Sequence, residues 1–234
     1  SPLFKDINFT INQKEIVGLF GLIGAGRTEL AKAIFGAMPF HQGNIYLKGK
    51  PLRITSPKSA VVSGICYVPE DRKEEGLCLE LSVEENVILP YLEKSDQGPI
   101  LKNSVLRKKV SNLVDNLAIK TPSLQQKVKF LSGGNQQKVV LAKWLITEPH
   151  LIIFDEPTRG IDVGAKTEIY HLMRELANQG NAILMISSEL PEIIGMSDRV
   201  LVMHEGKMVK EFKALEEVDE EKIMHYATGI FKSE

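Results

Sequence analysis

The sequence predicts an α/β fold, and three observations support this prediction. First, an apolar run, a glycine-rich stretch and a helix-like segment follow one another in residues 16–35. Second, short apolar runs at 151–154 and 182–186 have the length and composition of buried strands. Third, residues 166–177, between those two runs, are helix-like. Strands that alternate with helices are the pattern of an α/β protein.

Length and composition limit the classes of protein to consider. The 234 residues suit one large domain or two small ones, and 43% hydrophobic with 25% charged residues allow an ordinary core. The formal net charge of −1, from 29 basic and 30 acidic residues, argues against nucleic acid as a main partner. Cys66 and Cys78 lack CxxC spacing, which indicates reduced structural thiols in a cytosolic protein.

Neither a membrane span nor a secretory signal is predicted. No apolar run approaches the roughly 18 residues that a span requires. The chain begins at Ser1 without a Met, and we expect it to be a piece of a longer polypeptide, although proteolytic processing would leave the same kind of terminus.

The glycine-rich stretch, residues 21–28, is a candidate phosphate loop. It fits the pattern G-x-x-x-x-G-K-[ST] except that Arg27 occupies the lysine position. Glycines allow consecutive backbone N–H groups to converge on an anion, and the following helix adds the positive end of its dipole. The pattern assigns the hydroxyl of Thr28 to Mg²⁺. The candidate nucleotide contacts of the phosphate loop and its helix are Gly21, Gly24, Ala25, Gly26, Arg27, Thr28 and Glu29.

Two other interpretations of this loop are weaker. A glycine turn between a strand and a helix also occurs without a ligand, and a dinucleotide fingerprint would need glycine where Glu29 stands. A second element favours the phosphate loop, because a buried strand that ends in a carboxylate is its metal-binding partner. The apolar run 151–154 ends in Asp155, a candidate Mg²⁺ ligand, and Glu156, a candidate to orient or deprotonate water. The alternative is two solvated carboxylates after a core strand.

A second candidate phosphate site lies at a helix start. Ser132, Gly133 and Gly134 precede a helix-like segment that continues to residue 145. A hydroxyl and free N–H groups at the positive end of a helix dipole attract anions. The alternative is a plain helix N-cap with a flexible approach, which is the default for an isolated Ser-Gly-Gly.

Other segments are predicted to be extended. Residues 3–15 alternate apolar and polar side chains around a turn at 12–14, which predicts a β-hairpin. Residues 44–49 are strand-like, so these pieces predict a small antiparallel sheet beside the core. Residues 65–68 predict a short buried strand, and 199–212 predict a hairpin that turns at Glu205-Gly206.

The middle of the chain is predicted to be helical. A capping box begins at Ser82, and the apolar residues in segment 103–119 recur with a helical period. These two observations predict a mostly helical insertion between strands at about residues 82–130. The final residues are also predicted to be helical. The apolar positions of the 103–119 stripe, which are predicted to lie in the core, are Val105, Leu106, Val110, Leu113, Val114 and Leu117.

The order of three motifs resembles the ATP-binding domain of ABC transporters: the phosphate loop, LSGG at 131–134 and FDEPT at 154–158. The match covers almost the whole chain. The longer segments GRTEL, LSGGNQQK and DEPTRGIDVGAK are most similar to one subgroup. That subgroup is the second ATP-binding half of the double-domain ATPases that power bacterial import of ribose, galactose, xylose and similar sugars.

The resemblance implies a fold and a domain organisation. Residues 1–234 would form one ABC-type P-loop domain within a longer two-domain ATPase. Its expected parts are a mostly parallel core sheet with helices, a flanking antiparallel β-subdomain and a helical subdomain at about 82–130. The implied cofactors are ATP and Mg²⁺, and the implied activity is ATP hydrolysis coupled to import of a monosaccharide.

The resemblance also implies partners. Two such domains form a sandwich in which each ATP lies between one phosphate loop and the opposing LSGG. The residues expected to contact the opposing ATP are Ser132, Gly133, Gly134 and Gln136; we name 132–134 the signature turn. The expected partners are a first-half ATP-binding domain of the same or a second chain, a membrane permease and, indirectly, a periplasmic sugar-binding protein, without nucleic acid. The expected location is peripheral, at the cytoplasmic face of the inner membrane.

Three positions depart from the family pattern. Arg27 replaces the loop Lys, Glu70 replaces the Gln after the third strand and brings negative charge near the γ-phosphate, and Ser188 replaces the switch His. The family's adenine-stacking aromatic residue lies upstream of Leu3. Glu156 is retained, so Glu156 and Ser188 are the candidate catalytic residues. Because single groups that stabilise transition-state charge are worth roughly 3–4 kcal/mol, we expect this domain's own site to bind ATP but hydrolyse it poorly, while its signature turn completes the partner's site.

Two other functions are kept as alternatives. One is a soluble ABC ATPase of translation or repair that has no permease; such proteins tend to carry basic stretches or inserted arms for nucleic acid, which are absent here. The other is a regulatory nucleotide-binding module that never contributes to hydrolysis. Co-purification with a polytopic membrane protein would argue against the first, and ATPase activity on mixing with a first-half domain would argue against the second.

Overall fold

The computed structural model describes residues 3–94, 103–213 and 219–230. Its strands are β1 (Ile16–Gly21), β2 (Ile45–Leu47), β3 (Lys50–Leu52), β4 (Ile65–Val68), β5 (Leu151–Asp155), β6 (Ala182–Ile186), β7 (Arg199–His204) and β8 (Lys207–Phe212). Its helices are α1 (Arg27–Ile34), α2 (Pro57–Val62), α3 (Val83–Lys94), α4 (Asn103–Asn116), α5 (Gly133–Leu145), α6 (Val163–Asn178), α7 (Leu190–Met196) and α8 (Glu220–Ala227). A π-helical segment, Arg72–Gly76, follows β4, and a 3₁₀ turn, Val128–Phe130, precedes α5.

Six of the described strands form one sheet, in the order β4-β5-β6-β1-β7-β8. The first five are parallel to one another, and β8 is antiparallel to β7. Because parallel strands end at the same edge of a sheet, the residues that follow β4, β5, β6 and β1 meet there. This mostly parallel arrangement confirms the predicted α/β class.

Side chains of the sheet alternate between two buried cores. In β5, Ile152 and Phe154 belong to one core, whereas Ile153, on the opposite face, belongs to the other. Helices α3 to α6 contribute to the first core, and α1 and α2 contribute to the second. The sheet therefore lies between helices on both faces, which fixes the position of its carboxyl edge.

One predicted antiparallel element is confirmed and one is corrected. A small separate sheet is present, but it pairs β2 with β3, with Ile45 opposite Leu52, and not residues 3–15 with 44–49. The chain turns back at Lys48 and Gly49, which both have positive φ, so the segment predicted as one strand is a strand and a turn. Strands β7 and β8 form a hairpin whose turn residues, Glu205 and Gly206, both have positive φ, 44° and 75°. A Cβ at Gly206 would lie 2.5 Å from the carbonyl oxygen of Leu3, so only glycine fits there.

The predicted hairpin at 3–15 is wrong. Within the described residues no strand forms before β1, and the backbone amides of Lys5 and Lys14 donate instead to carbonyls of residues 206 and 181. The apolar side chains of the segment still pack on the second core; they are Phe4, Ile7, Phe9 and Ile11. The alternation of apolar and polar residues therefore correctly predicts that one face of this segment is buried. Burial of that face does not require the segment to pair as a strand. The turn at 12–14 is present, with the amide of Asn12 donating to Glu15 at 2.7 Å.

The predicted helices of the middle region are present. The capping box holds α3, since the Ser82 amide donates to the Glu85 carboxylate at 2.8 Å and the Glu85 amide donates to the Ser82 hydroxyl at 3.2 Å. The predicted apolar stripe of α4, together with Leu117 just after the helix, contributes to the first core. The prediction that Val105 lies in the core is wrong: Val105 is 57% exposed, because adjacent helix residues point about 100° apart and Leu106 occupies the core face. Residues 95–102 and 231–234, which fall in segments predicted to be helical, lie outside the described residues. None of the helices in the described ranges has the length and apolar character of a membrane span.

Candidate functional site

The phosphate loop connects β1 to α1 at the carboxyl edge of the sheet. Gly26 is the N-cap of α1, with φ of 93°, and a Cβ there would lie 2.9 Å from the Leu3 carbonyl oxygen, so the turn requires glycine. The Ala25 amide donates to Leu22 and the Ala25 carbonyl accepts from Gly206, which fixes the loop from both sides. The first-turn N–H groups of α1 have no intrahelical acceptors and are free to bind an anion. Gly21 ends β1, and Glu29 lies in the first turn of α1.

Arg27 turns its side chain inward. The residue is 9% exposed, and its Nη1 donates to the Ser187 carbonyl at 2.8 Å and lies 3.7 Å from Oε1 of Glu156. Burial lowers the pKa of Arg27, although the neighbouring carboxylates oppose that shift. The guanidinium is therefore held by the protein and compensates the charge of Glu156.

Asp155 has the surroundings of a metal ligand. It is fully buried, and its two carboxylate oxygens accept hydrogen bonds from the Thr28 hydroxyl at 3.2 Å and from the Tyr67 hydroxyl at 2.8 Å. Burial raises the pKa of Asp155 above its ordinary value of 3.8, against the effect of these hydrogen bonds. A carboxylate and a hydroxyl within hydrogen-bond distance fit Mg²⁺, which prefers one or two protein oxygens together with substrate phosphates. The described residues contain no group of three or more His, Cys, Asp or Glu side chains arranged to hold a metal ion.

Glu156 and Ser188 are brought together. The Ser188 hydroxyl donates to Oε2 of Glu156 at 3.2 Å, and the Glu156 amide donates to the Ile186 carbonyl at 2.9 Å. Glu156 has a φ of 48°, which is uncommon for a residue with a side chain and is found at functional sites. Burial raises the pKa of Glu156, which makes the carboxylate a stronger proton acceptor near neutrality.

Glu70 and Gln136 have partners within the protein. Glu70 follows β4, and its carboxylate forms an ion pair with the guanidinium of Arg159, in the loop after β5. Gln136 is 5% exposed, and its side-chain amide donates to the Val128 carbonyl at 3.2 Å. The structure therefore places the Glu70 carboxylate beside a cation, and it buries the Gln136 side-chain amide against the 3₁₀ turn that precedes α5.

The signature turn begins α5. Ser132 is the exposed N-cap, and its hydroxyl accepts a hydrogen bond from the Asn135 side chain at 2.9 Å. A Cβ at Gly133 would lie 2.8 Å from Nη2 of Arg72, and a Cβ at Gly134 would lie 2.8 Å from Cβ of Ala165.

Sequence reasoning missed a buried carboxylate behind the site. Glu192 is 7% exposed and accepts hydrogen bonds from four side chains. The donors are Thr158 at 2.5 Å, Tyr170 at 2.6 Å, Ser187 at 2.8 Å and Lys166 at 3.1 Å. Glu192 thus joins the loop after β5 to the end of β6, next to Glu156 and Ser188. Burial would raise the pKa of Glu192, but the hydrogen bonds outweigh burial and the pKa lies below its ordinary value of 4.5.

Glu192→Ala is expected to lower the free energy of unfolding by about 3 kcal/mol at neutral pH, because it leaves the hydroxyls of Thr158, Tyr170 and Ser187 without their acceptor, whereas Lys166 keeps its ion pair with Glu189. Tyr170→Phe, the matched control, removes one donor and should cost about 1 kcal/mol. Because the folded pKa of Glu192 is depressed, its contribution is present above 4.5 and is lost as pH falls through the folded value. Urea unfolding at several pH values checks both points. Equal losses for the two variants, or a loss independent of pH, would contradict this account.

The chain matches the family model described as ABC transporter over residues 4–159. It is 53% identical over 227 residues to the ribose import ATP-binding protein RbsA of Geobacillus kaustophilus, covering 97% of this chain and 46% of that protein. It is 52% identical over 228 residues to the xylose import ATP-binding protein XylG of Thermoanaerobacter pseudethanolicus, covering 97% and 45%. The chain therefore spans about half the length of these curated relatives.

Solved structures share the fold. A nucleotide-free ATP-binding cassette from an ABC transporter matches with a TM-score of 0.81 at 21% identity, over 99% of this chain and 93% of that chain. A Clostridium perfringens protein described as part of the ABC transporter complex cbiONQ matches with a TM-score of 0.75 at 26% identity, over 97% and 88%. These matches confirm the predicted ABC-type α/β fold.

Proposed function

Because this chain belongs to the ABC transporter family of ATP-binding domains, we propose that it is the second ATP-binding half of an ATPase that energises import of a monosaccharide across the bacterial inner membrane. The observation that carries the proposal is that the phosphate loop, Asp155 and Glu156 converge in a chain that also exposes a signature turn. Identities of 53% and 52% to ribose and xylose import ATP-binding proteins support a sugar as the cargo.

The residues of this chain have distinct roles in the proposal. Backbone N–H groups of the phosphate loop bind the terminal phosphates of ATP, and Thr28 and Asp155 are the residues that would hold Mg²⁺. Mg²⁺, when bound, neutralises charge on the phosphates. Glu156 orients the attacking water and accepts its proton, and its burial and raised pKa favour that role. The Ser188 hydroxyl, which donates to Glu156, holds the carboxylate in place.

Two contacts and one substitution support slow turnover at this chain's own site. Arg27 is engaged by the Ser187 carbonyl and by Glu156, so less of its charge is available to the γ-phosphate than a free Lys would supply. Glu70 is engaged by Arg159 and offers no amide to a water or metal. Ser188 does not titrate near neutrality, unlike the imidazole of the family pattern. The site binds ATP and holds the sandwich together, while the signature turn completes the catalytic site of the opposing domain.

The partners follow from this assignment. An opposing first-half ATP-binding domain, in the same or a second chain, supplies the productive phosphate loop. ATP hydrolysis energises transport through a membrane permease, and a periplasmic sugar-binding protein delivers the sugar to that permease. The domain then sits peripherally at the cytoplasmic face of the inner membrane.

The isolated chain is expected to bind Mg²⁺-ATP as a monomer or weak dimer and to hydrolyse it very slowly, because a homodimer would contain two altered sites. Mixing it with the opposing first-half domain should raise turnover by about 10²-fold or more, since an intact phosphate loop then meets an intact signature turn. The measurement is steady-state ATPase activity of each domain alone and of the mixture. Turnover by the isolated chain equal to that of the mixture would contradict the proposed function.

A further inference from the structure

Arg72 lies where two loops of the site meet. It opens the π-helical segment after β4, which is capped by Asp71. Its Nη1 donates to the Arg159 carbonyl at 3.1 Å, and its Nη2 donates to the Gly160 carbonyl at 3.2 Å. The Arg159 side chain in turn forms an ion pair with the Glu70 carboxylate. Residues 70–72 and 159–160 are therefore joined from both sides; we name this contact the Arg72 clasp.

The same guanidinium packs on the signature turn. A Cβ at Gly133 would lie 2.8 Å from Nη2 of Arg72 and 3.4 Å from the Gly160 carbonyl oxygen. Gly133, Arg72 and Gly160 are thus in direct contact, and a side chain at 133 would displace the guanidinium. Nε of Arg72 is buried and has no hydrogen-bond partner among the described residues.

We propose that Arg72 is a positioning residue that holds the signature turn in one arrangement against loop 157–162, so that the turn is presented to the opposing nucleotide in a fixed position. The planar fork of a guanidinium can donate to two carbonyls at once in a fixed geometry, whereas a Lys ammonium is a compact charge on a flexible stem. The inference rests on the proposed function, because it assigns the signature turn to the opposing nucleotide.

The clasp is connected to Glu156. Arg159 lies three residues after Glu156 along the loop that leaves β5, and its amide donates to the Glu156 carbonyl at 3.1 Å. The Arg159 carbonyl accepts from Arg72, so a chain of contacts runs from Glu156 through Arg159 and Arg72 to Gly133.

The first test compares Arg72→Ala, Arg72→Lys and Lys73→Ala in the assembled transporter. Lys73 is the matched control, since it is exposed and carries the same charge one residue away. Arg72→Ala should lower permease-stimulated kcat about tenfold, because small misplacements of positioned groups have large effects on rate. KM for ATP should stay within about twofold, Arg72→Lys should fall between, and Lys73→Ala should match the parent. A residue that only stabilises the fold would lower the thermal midpoint without this split between kcat and KM.

The second test is a double-mutant cycle with Gly133→Ala. In the parent the new methyl group meets Nη2, whereas in the Arg72→Ala background that space is open. The double variant should therefore retain at least about threefold more activity than the product of the two single effects. If Arg72→Ala fails to fold, the cycle is repeated with Arg72→Lys. The Lys ammonium has no atom at the Nη2 position, so the same departure from additivity is expected.

Gly133→Asp in the same assay separates the two proposals. If Gly133→Asp leaves turnover intact, the signature turn does not serve a catalytic site and the proposed function fails. If Gly133→Asp abolishes turnover while the Arg72 variants keep the parent kcat, or while the cycle is additive, the proposed function stands and the role of Arg72 is overturned.

Discussion

Gly133→Asp is expected to reduce permease-stimulated ATP turnover of the assembled transporter by about 100-fold or more, because loss of one group that stabilises transition-state charge already costs about 10²–10³ in rate. The new carboxylate would stand where the opposing γ-phosphate approaches and would repel it. The Cβ of the new side chain would also lie 2.8 Å from Nη2 of Arg72, so the side chain would displace the guanidinium from the clasp. Steady-state ATPase activity of the reconstituted transporter measures the effect.

Gly195→Asp is the matched control for this variant. Gly195 is an exposed glycine in α7, and its Cβ position is open. The same charge introduced there should leave turnover within about twofold of the parent. Comparable losses for the two variants would show that the effect of Gly133→Asp is not specific to the signature turn.

Asp155→Asn is expected to weaken Mg²⁺-dependent ATP binding by about 100-fold or more. Substitution of a residue that only hydrogen-bonds to a metal ligand already lowers metal affinity by about 10–100-fold, and Asp155 is itself an assigned ligand. Binding measured without Mg²⁺ should be unchanged. The free chain should be no less stable, because burial raises the pKa of Asp155 and the ionised carboxylate therefore disfavours folding at neutral pH. Calorimetric titration with and without Mg²⁺, together with urea unfolding, measures both effects.

Two further variants act as controls for Asp155→Asn. Tyr67→Phe removes the 2.8 Å hydrogen bond to Asp155 but leaves the carboxylate, so its effect on Mg²⁺-dependent binding should be smaller. Thr28→Ala should weaken that binding, and Thr28→Ser, which keeps a hydroxyl, should restore it. If Asp155→Asn and Thr28→Ala bind Mg²⁺-ATP as the parent does, the assigned metal ligands are wrong.

The parts of the site that the sequence predicts are those in which adjacent residues carry the chemistry. The spacing in the phosphate loop predicts both the turn and the start of α1, and the apolar run before Asp155 predicts a buried strand that ends in a carboxylate. The Thr28–Asp155 hydrogen bond then follows from two motifs that meet at one sheet edge. The structure describes this contact at 3.2 Å.

The remaining contacts depend on which strands are neighbours. Glu70 meets Arg159 because β4 pairs with β5, and neither residue's local sequence reveals that pairing. Glu192 accepts hydrogen bonds from three separate segments of the chain. This network depends on the packing of α6 and α7, and no local sequence motif predicts it. The error at 3–15 has the same origin, because alternation reports a buried face but not where the backbone hydrogen bonds go.

The central claim is that the two ATP sites of the transporter are unequal, and one comparison tests it most directly. Sugar-stimulated ATPase activity is measured for Arg27→Ala and Gly133→Asp in the same reconstituted transporter. Arg27→Ala removes a guanidinium that contacts Ser187 and Glu156 at this chain's own site, so it should weaken ATP binding there and leave turnover within about threefold of the parent. Gly133→Asp should leave about 1% or less. If Arg27→Ala proves as damaging as Gly133→Asp, the two sites contribute equally to turnover and the account is contradicted.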